Sequence, residues 1–424
     1  MAATKEPASP AEAAASTPQS GAENGREAEP YNRVTFLDDV NTVSGWKSLI
    51  LYAAAALVIW PSLLLILVRQ LIKKPREFFA TRPRPRKAEE VSLPPDLHGL
   101  EGLSHMQLDV GGGVRLHAAS MGRRPGKPLL LLLHGFPECW YSWRHVMAEY
   151  GATGEYEVVA LDMRGFGWSS KPQGVSSYTL DKLSADVAAA VRALGRSSCT
   201  LVAHDWGGAI AWVVAGRYPG LVDRLAVLAG PHWLLYKKNL TREQMAKSAY
   251  FVMFQMPVFA ELLLTQTDCD LLSAIWLSKG PSSPINPNAA SPADVEVYKA
   301  AMQLPGAATA QLNYYRALLR SDSGILPFHP EVERGLRRRL DIPVCVVWGQ
   351  EDHALDTTNL IGTNEVAPKA EVHILQRCSH WIQAEQPQEL SRILGEWMAA
   401  NPLPGQTKQP PRGSRKADGK GAAA

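Results

Sequence analysis

The stretch "LVAHDWGG" occupies residues 201–208, where an apolar, strand-like run stops at an acid set between His204 and Trp206 and followed by Gly207 and Gly208. The residues after it, "AIAWVVAGRYP" (209–219), read as a helix. Small, any, acid, any, small, small between a strand and a helix is the pattern of a sharp turn in which small neighbours let the backbone fold back. Such a turn pushes one side chain out at the strand's C-terminal end, and here that side chain is Asp205. The competing reading is a helix N-cap, a position aspartate often fills. The glycine pair and the partners described below favour the turn.

Working outward, the body from about Leu93 to Ala400 alternates strand and helix signals. "MQLDVGGGVRLHAAS" (106–120) alternates around a glycine turn and predicts a hairpin, while "KPLLLLLHG" (127–135) and "YEVVALDM" (156–163) predict buried strands. "YTLDKLSADVAAAVRALG" (178–195) has helical spacing and a glycine stop. "CTLVAHDW", "LVDRLAVLAGP", "IPVCVVWGQED" and "AEVHILQRCSH" supply four further strands. Strands without alternation, separated by helices, predict a mostly parallel sheet covered on both faces. From about His232 to Pro330 the text turns helical and aromatic with proline breaks, which predicts a helical cap over the sheet edge.

Three sites flank the turn. "HGFPECW" (134–140) follows the long leucine strand, and its glycine turn can aim the Phe136 N–H into the same crevice. With the Trp206 N–H it would form an oxyanion hole. His134 reads as a hydrogen-bonded structural histidine, with Gly135 completing the turn and Pro137 a candidate for a cis peptide bond. Downstream, "VVWGQEDHAL" closes a strand on Asp352, with Glu351 as the rival acid, and "RCSHWIQAEQP" places His380 after the next strand. Acid nucleophile, second acid, histidine is the chain order in which sheets of this kind carry their triads. His380 is therefore expected to be the base.

The flanks differ in character. At 424 residues with a net charge of +3, the chain gives no electrostatic reason to expect a nucleic-acid partner. Five cysteines without a CxxC pair suit free thiols in a reducing compartment, and Cys139 lacks an activating base. Residues 1–47 are expected to be disordered, led by the Ala, Ser, Pro and Glu of 1–30, and so is the basic tail 401–424. Between them, "SLILYAAAALVIWPSLLLILV" (48–68) is uncharged and matches the roughly 20 residues a helix needs to cross a bilayer. The basic linker 69–92, against few cations before the span, predicts a single-pass orientation with the bulk of the chain in the cytosol. The endoplasmic reticulum is the expected membrane.

With these motifs in place, "HGFPECWYSWR", "LDMRGFGWSSKP", "LVAHDWGGAIAW", "QLNYYRALLR", "WGQEDHAL" and "CSHWIQ" make the chain resemble an α/β-hydrolase-fold epoxide hydrolase over about 93–400. With its N-terminal span it is similar to the membrane-anchored animal epoxide hydrolase 3/4 subgroup. The resemblance implies a hydrolase core over 93–231 and 331–400 and a cap over 232–330. It implies Asp205 as nucleophile, Asp352 and His380 as the charge-relay pair, and Phe136 and Trp206 as backbone oxyanion donors. Two cap tyrosines complete the pattern, Tyr250 and Tyr315, with Tyr314 competing for the second place. Neighbours on a helix point about 100° apart, so only one of these two can face the crevice.

The chemistry agrees. A carboxylate attacking an acyl carbon gives an anhydride that reverts, whereas attack on an sp³ carbon gives a stable ester, so Asp205 points to epoxides or alkyl halides. A phenol with a pKa near 10 stays protonated at pH 7 and can donate to an opening epoxide oxygen. A haloalkane dehalogenase is the nearest alternative, but it needs halide donors, and Phe136 offers no side-chain donor. A non-catalytic tethered scaffold is the other. The expected partners are an epoxide, water and, through 48–68, a bilayer; no metal or organic cofactor is called for. A lipophilic epoxide such as that of a fatty acid is the expected substrate.

Overall fold

Five consecutive leucines form β3 (Leu129–Leu133), each at most 1% exposed, a run that can exist only with both faces of the strand covered. The computed structural model describes residues 100–122, 126–320 and 328–403, together with isolated helical positions between 57 and 73. Within them, β1 (Ser104–Asp109) and β2 (Arg115–Met121) make the expected hairpin. The fully buried β4 (Glu157–Leu161), β5 (Cys199–His204) and β7 (Val344–Gly349), with β6 (Val222–Leu228) and β8 (Ala370–Leu375), complete one eight-stranded sheet.

The strand order is β1-β2-β4-β3-β5-β6-β7-β8; β2 runs antiparallel to β1 and β4, and every other pairing is parallel. The chain leaves β3 for β4 on one side and later enters β5 on the other. At such a reversal the two connections diverge and open a crevice beyond the strands' C-terminal ends. The loops after β3 and β5, carrying 134–138 and Asp205, both begin there.

A run of helices lies between β6 and β7. Helix Pro292–Met302 starts at a capping box of Ser291 and Asp294 with proline in its first turn. Asp294 also accepts from the Tyr141 hydroxyl at 2.6 Å and pairs with Arg144 Nε at 3.2 Å, pinning the insertion to the turn Trp140–Trp143. The apolar text "YFVMFQMPVFAELLL" breaks into Tyr250–Met253 and Phe259–Thr265 on either side of Pro257, which supplies no N–H to a continuing helix. Helix Ala307–Arg320 carries the tyrosine pair.

The span expected over 48–68 lies outside the described residues apart from Leu57, Pro61, Leu64, Leu65 and Val68, all helical. The expected disorder of 1–47 and of the tail beyond 403 also lies outside them. Among the described residues no helix is long and apolar enough to cross a membrane.

Candidate active site

Asp205 stands between β5 and helix Trp206–Arg217 at φ 49°, ψ −118°, a conformation an L-residue adopts only when its surroundings impose it. The imposition is steric. A Cβ on Gly207 would lie 2.5 Å from the Leu133 carbonyl oxygen, and one on Gly135 would lie 2.5 Å from the Asp205 Cβ. Only glycines let the β3 and β5 turns pass this closely. Asp205 occupies the N-cap position, yet its side chain accepts no hydrogen bond from its own helix. Its Oδ2 instead accepts the Phe136 N–H at 3.0 Å, so the capping reading fails. The Trp206 N–H opens the same helix, among first-turn donors that have no intrahelical acceptor.

On the other oxygen, Oδ1 lies 3.6 Å from His380 Nε2. His380 Nδ1 donates to Asp352 Oδ2 at 2.8 Å, and Asp352 Oδ1 accepts the N–H groups of Ala354 and Leu355 at 2.7 and 2.8 Å. The rival acid, Glu351, turns away to accept the N–H groups of Arg377 and Cys378. The three groups Asp205, His380 and Asp352 thus converge from the ends of β5, β8 and β7.

Their charges are interdependent. Burial disfavours the imidazolium of His380, but Asp352 and Asp205 outweigh it and hold its pKa well above that of an ordinary histidine. Burial likewise disfavours the Asp205 carboxylate, and His380, with help from the Phe136 N–H, more than offsets it, so its pKa falls below the usual carboxylate range.

The helical insertion closes the crevice with aromatic rings. Tyr250 and Tyr315 lie with ring centroids 5.7 Å apart, and their hydroxyls interact with each other. Tyr315 also stands edge-on to Trp206 at 5.1 Å and to Phe136 at 5.3 Å. Burial pushes both phenols well above the ordinary tyrosine pKa, and the Asp205 charge adds to this at each. Tyr314 points elsewhere, donating to the Arg164 carbonyl oxygen at 2.6 Å. It is the neighbour the 100° rotation takes out of the crevice.

His134 is a structural residue. Its Nδ1 donates to the Gly135 carbonyl at 2.8 Å and its Nε2 accepts the Met163 N–H at 3.1 Å, which uses both nitrogens of a neutral ring. The Phe136–Pro137 bond is cis. All five cysteines are buried free thiols, and burial raises Cys139 well above a reactive pKa.

Sequence reasoning missed a buried layer beneath the triad. His204, inside the opening motif, has Nδ1 2.9 Å from Glu138 Oε2 and donates from Nε2 to the His380 carbonyl oxygen at 2.9 Å. Glu138 also accepts from Gln383 Nε2 at 2.8 Å and from the Gly135 N–H at 3.2 Å. One hydrogen-bonded unit therefore supports the 134–138 turn, the Asp205 turn and the His380 loop together. The available signal was the polar residues His204 and Glu138 within motifs already singled out.

Residues 128–387 match the α/β-hydrolase-fold family. The chain is 35% identical over 285 residues to epoxide hydrolase 4 of Mus musculus, covering 66% of this chain and 76% of that one. It is 35% identical over 286 residues to epoxide hydrolase 3 of the same organism, covering 66% and 73%. The solved structure of Bacillus megaterium epoxide hydrolase in complex with an inhibitor is 31% identical, with a TM-score of 0.59 over 70% of this chain and 99% of that one.

The geometry makes His380's basicity depend on the charge of Asp205. Asp205→Ala should lower the His380 pKa, read by NMR titration of its imidazole; an unchanged value would show that Asp352 alone sets it. Its fold, its converging turns and these relatives agree: the chain belongs to the α/β-hydrolase-fold epoxide hydrolases.

Proposed function

We propose that the protein converts epoxides to vicinal diols through an alkyl ester on Asp205. The observation that carries this reading is the division of the Asp205 carboxylate, with Oδ2 on the Phe136 amide and Oδ1 facing His380 beneath two phenols. Oδ1 attacks an epoxide carbon from behind, the C–O bond breaks, and its electron pair goes to the ring oxygen. That oxygen takes a proton from Tyr250 or Tyr315 as it develops charge.

Formation of the ester removes the carboxylate's negative charge. His380 loses one of the two anions that hold its proton, and releases that proton to restore the phenol. The neutral imidazole, oriented by Asp352, then accepts a proton from water as the water oxygen attacks the ester carbonyl. The tetrahedral oxyanion lies on the Phe136 N–H and the Trp206 N–H; one such donor typically contributes about 2.7 to 4 kcal/mol. Collapse expels the diol alkoxide, which takes the proton of the carboxylic acid formed on Asp205, leaving Asp205 as carboxylate and His380 as imidazolium. The cycle closes with no external acid.

Oxygen-stabilising phenols favour an epoxide over an alkyl halide, and a filled catalytic set favours an enzyme over a scaffold. The insertion acts as the cap that carries those phenols. A lipophilic substrate is supported by the rings of Phe136, Phe254 and Tyr315, which meet edge-on at 4.9 to 5.3 Å around the nucleophile. The uncharged stretch 48–68 and the basic linker 69–92 support a single-pass anchor with the catalytic body in the cytosol; the endoplasmic reticulum is the membrane proposed for it.

In His380→Gln, ester formation should proceed while diol release falls by at least about 10²-fold. The enzyme should then carry one substrate mass on the peptide containing Asp205; an adduct on Asp352, or none, contradicts the assignment. The full chain should remain with the membrane pellet after alkaline carbonate extraction, and its recovery in the supernatant would remove the anchor.

A further inference from the structure

Behind the base, His380 sits in a short loop after β8, and helix Ile382–Glu385 begins two residues later. Glu385, 3% exposed, turns back from the end of that helix. Its Oε1 accepts the Ser379 N–H at 2.9 Å and also the Ser379 hydroxyl. Its Oε2 accepts the N–H groups of Ile285 at 2.8 Å and Asn286 at 3.2 Å. The Glu385 carbonyl oxygen accepts from Asn286 Nδ2 at 3.0 Å, and Trp381 Nε1 donates to the Ser282 carbonyl at 2.8 Å. Residues 282–286 belong to the insertion, in the segment between helices Asp270–Leu277 and Pro292–Met302.

A carboxylate taken out of water is tolerated only where hydrogen bonds replace its hydration. The four donors on Glu385 divide evenly, two from the loop that carries His380 and two from the insertion. The last position of a helix is also where a negative charge is disfavoured by the helix dipole, so the residue is not there for its own helix. Its bonds make sense as a tie between two loops, one holding the base and one belonging to the part of the fold that carries Tyr250 and Tyr315.

We propose that Glu385 is a positioning residue for the hydrolytic half-reaction, fixing the His380 loop to insertion residues 282–286 so that the base is aligned on the ester only while the insertion is seated. The assignment rests on the covalent mechanism above. Attack on the epoxide uses Asp205, Tyr250 and Tyr315, none of which Glu385 contacts. Ester hydrolysis uses His380, whose preceding residue Glu385 holds. A glutamine in its place keeps the shape but turns an NH2 group toward one of the two donor pairs, so the tie breaks on one side.

The test is rapid-quench single turnover of the full chain with styrene oxide, following ester formation and ester hydrolysis separately in wild type, Glu385→Gln and Asn286→Ala. Glu385→Gln should form the ester within about twofold of the wild-type rate and hydrolyse it at least about tenfold more slowly, so that ester accumulates. Asn286→Ala, which leaves the carboxylate intact, should show the same split with a smaller factor. Equal losses in both steps, or no change in either, would reduce Glu385 to a structural residue. A split in Glu385→Gln with no effect of Asn286→Ala would overturn the link to the insertion. If Glu385→Gln fails to fold, Asn286→Ala decides, since wild-type hydrolysis in that variant also overturns the proposal. Absence of any ester in wild type would bring down the covalent mechanism itself, an outcome distinct from failure of the Glu385 role alone.

Discussion

The site depends on one backbone turn. Asp205 is held at positive φ between a buried strand and a buried helix, at a cost of order 1–3 kcal/mol that the surrounding packing must supply. That packing is the close passage of the β3 and β5 loops, which Gly135 and Gly207 permit and any larger residue would block. The strain has a specific product. It takes the carboxylate away from its own helix, where it would serve as a cap, and lays one oxygen on the Phe136 amide and the other toward His380.

From that placement follows an electrostatic arrangement in which one charge governs two groups. The Asp205 anion helps hold a proton on His380 and helps keep Tyr250 and Tyr315 protonated. Its consumption in an ester would withdraw that effect from all three, so that the phenols become more acidic as the ring oxygen takes a proton and the imidazole becomes free to act as a base. The rest is set by fixed surroundings, burial for the phenols and Asp352 for the imidazole. The buried unit of His204, Glu138 and Gln383 ties this geometry together by bonding to the Gly135 turn and to the His380 carbonyl.

Much of this was legible in the residues. Buried strands announce themselves as unbroken apolar runs, and the order of Asp205, Asp352 and His380 along the chain anticipated their convergence at the ends of three strands. What was not legible is instructive. Helical geometry says that Tyr314 and Tyr315 point about 100° apart without saying which one faces inward. The deciding fact is a hydrogen bond from Tyr314 to Arg164, a residue 150 positions away in the chain. Glu138, His204 and Glu385 escaped notice for a related reason. A buried polar side chain earns its role from partners that only the folded chain assembles, and within a motif it looks like any other polar residue.

The central claim is that Asp205 itself supplies an oxygen to the product. Single turnover in 18O-labelled water, with enzyme in excess over epoxide, tests it directly. The covalent route predicts an unlabelled diol and one 18O retained in the peptide containing Asp205, because water attacks the ester carbonyl. Label in the diol with none in that peptide would mean that water attacks the epoxide directly, and the account would be wrong.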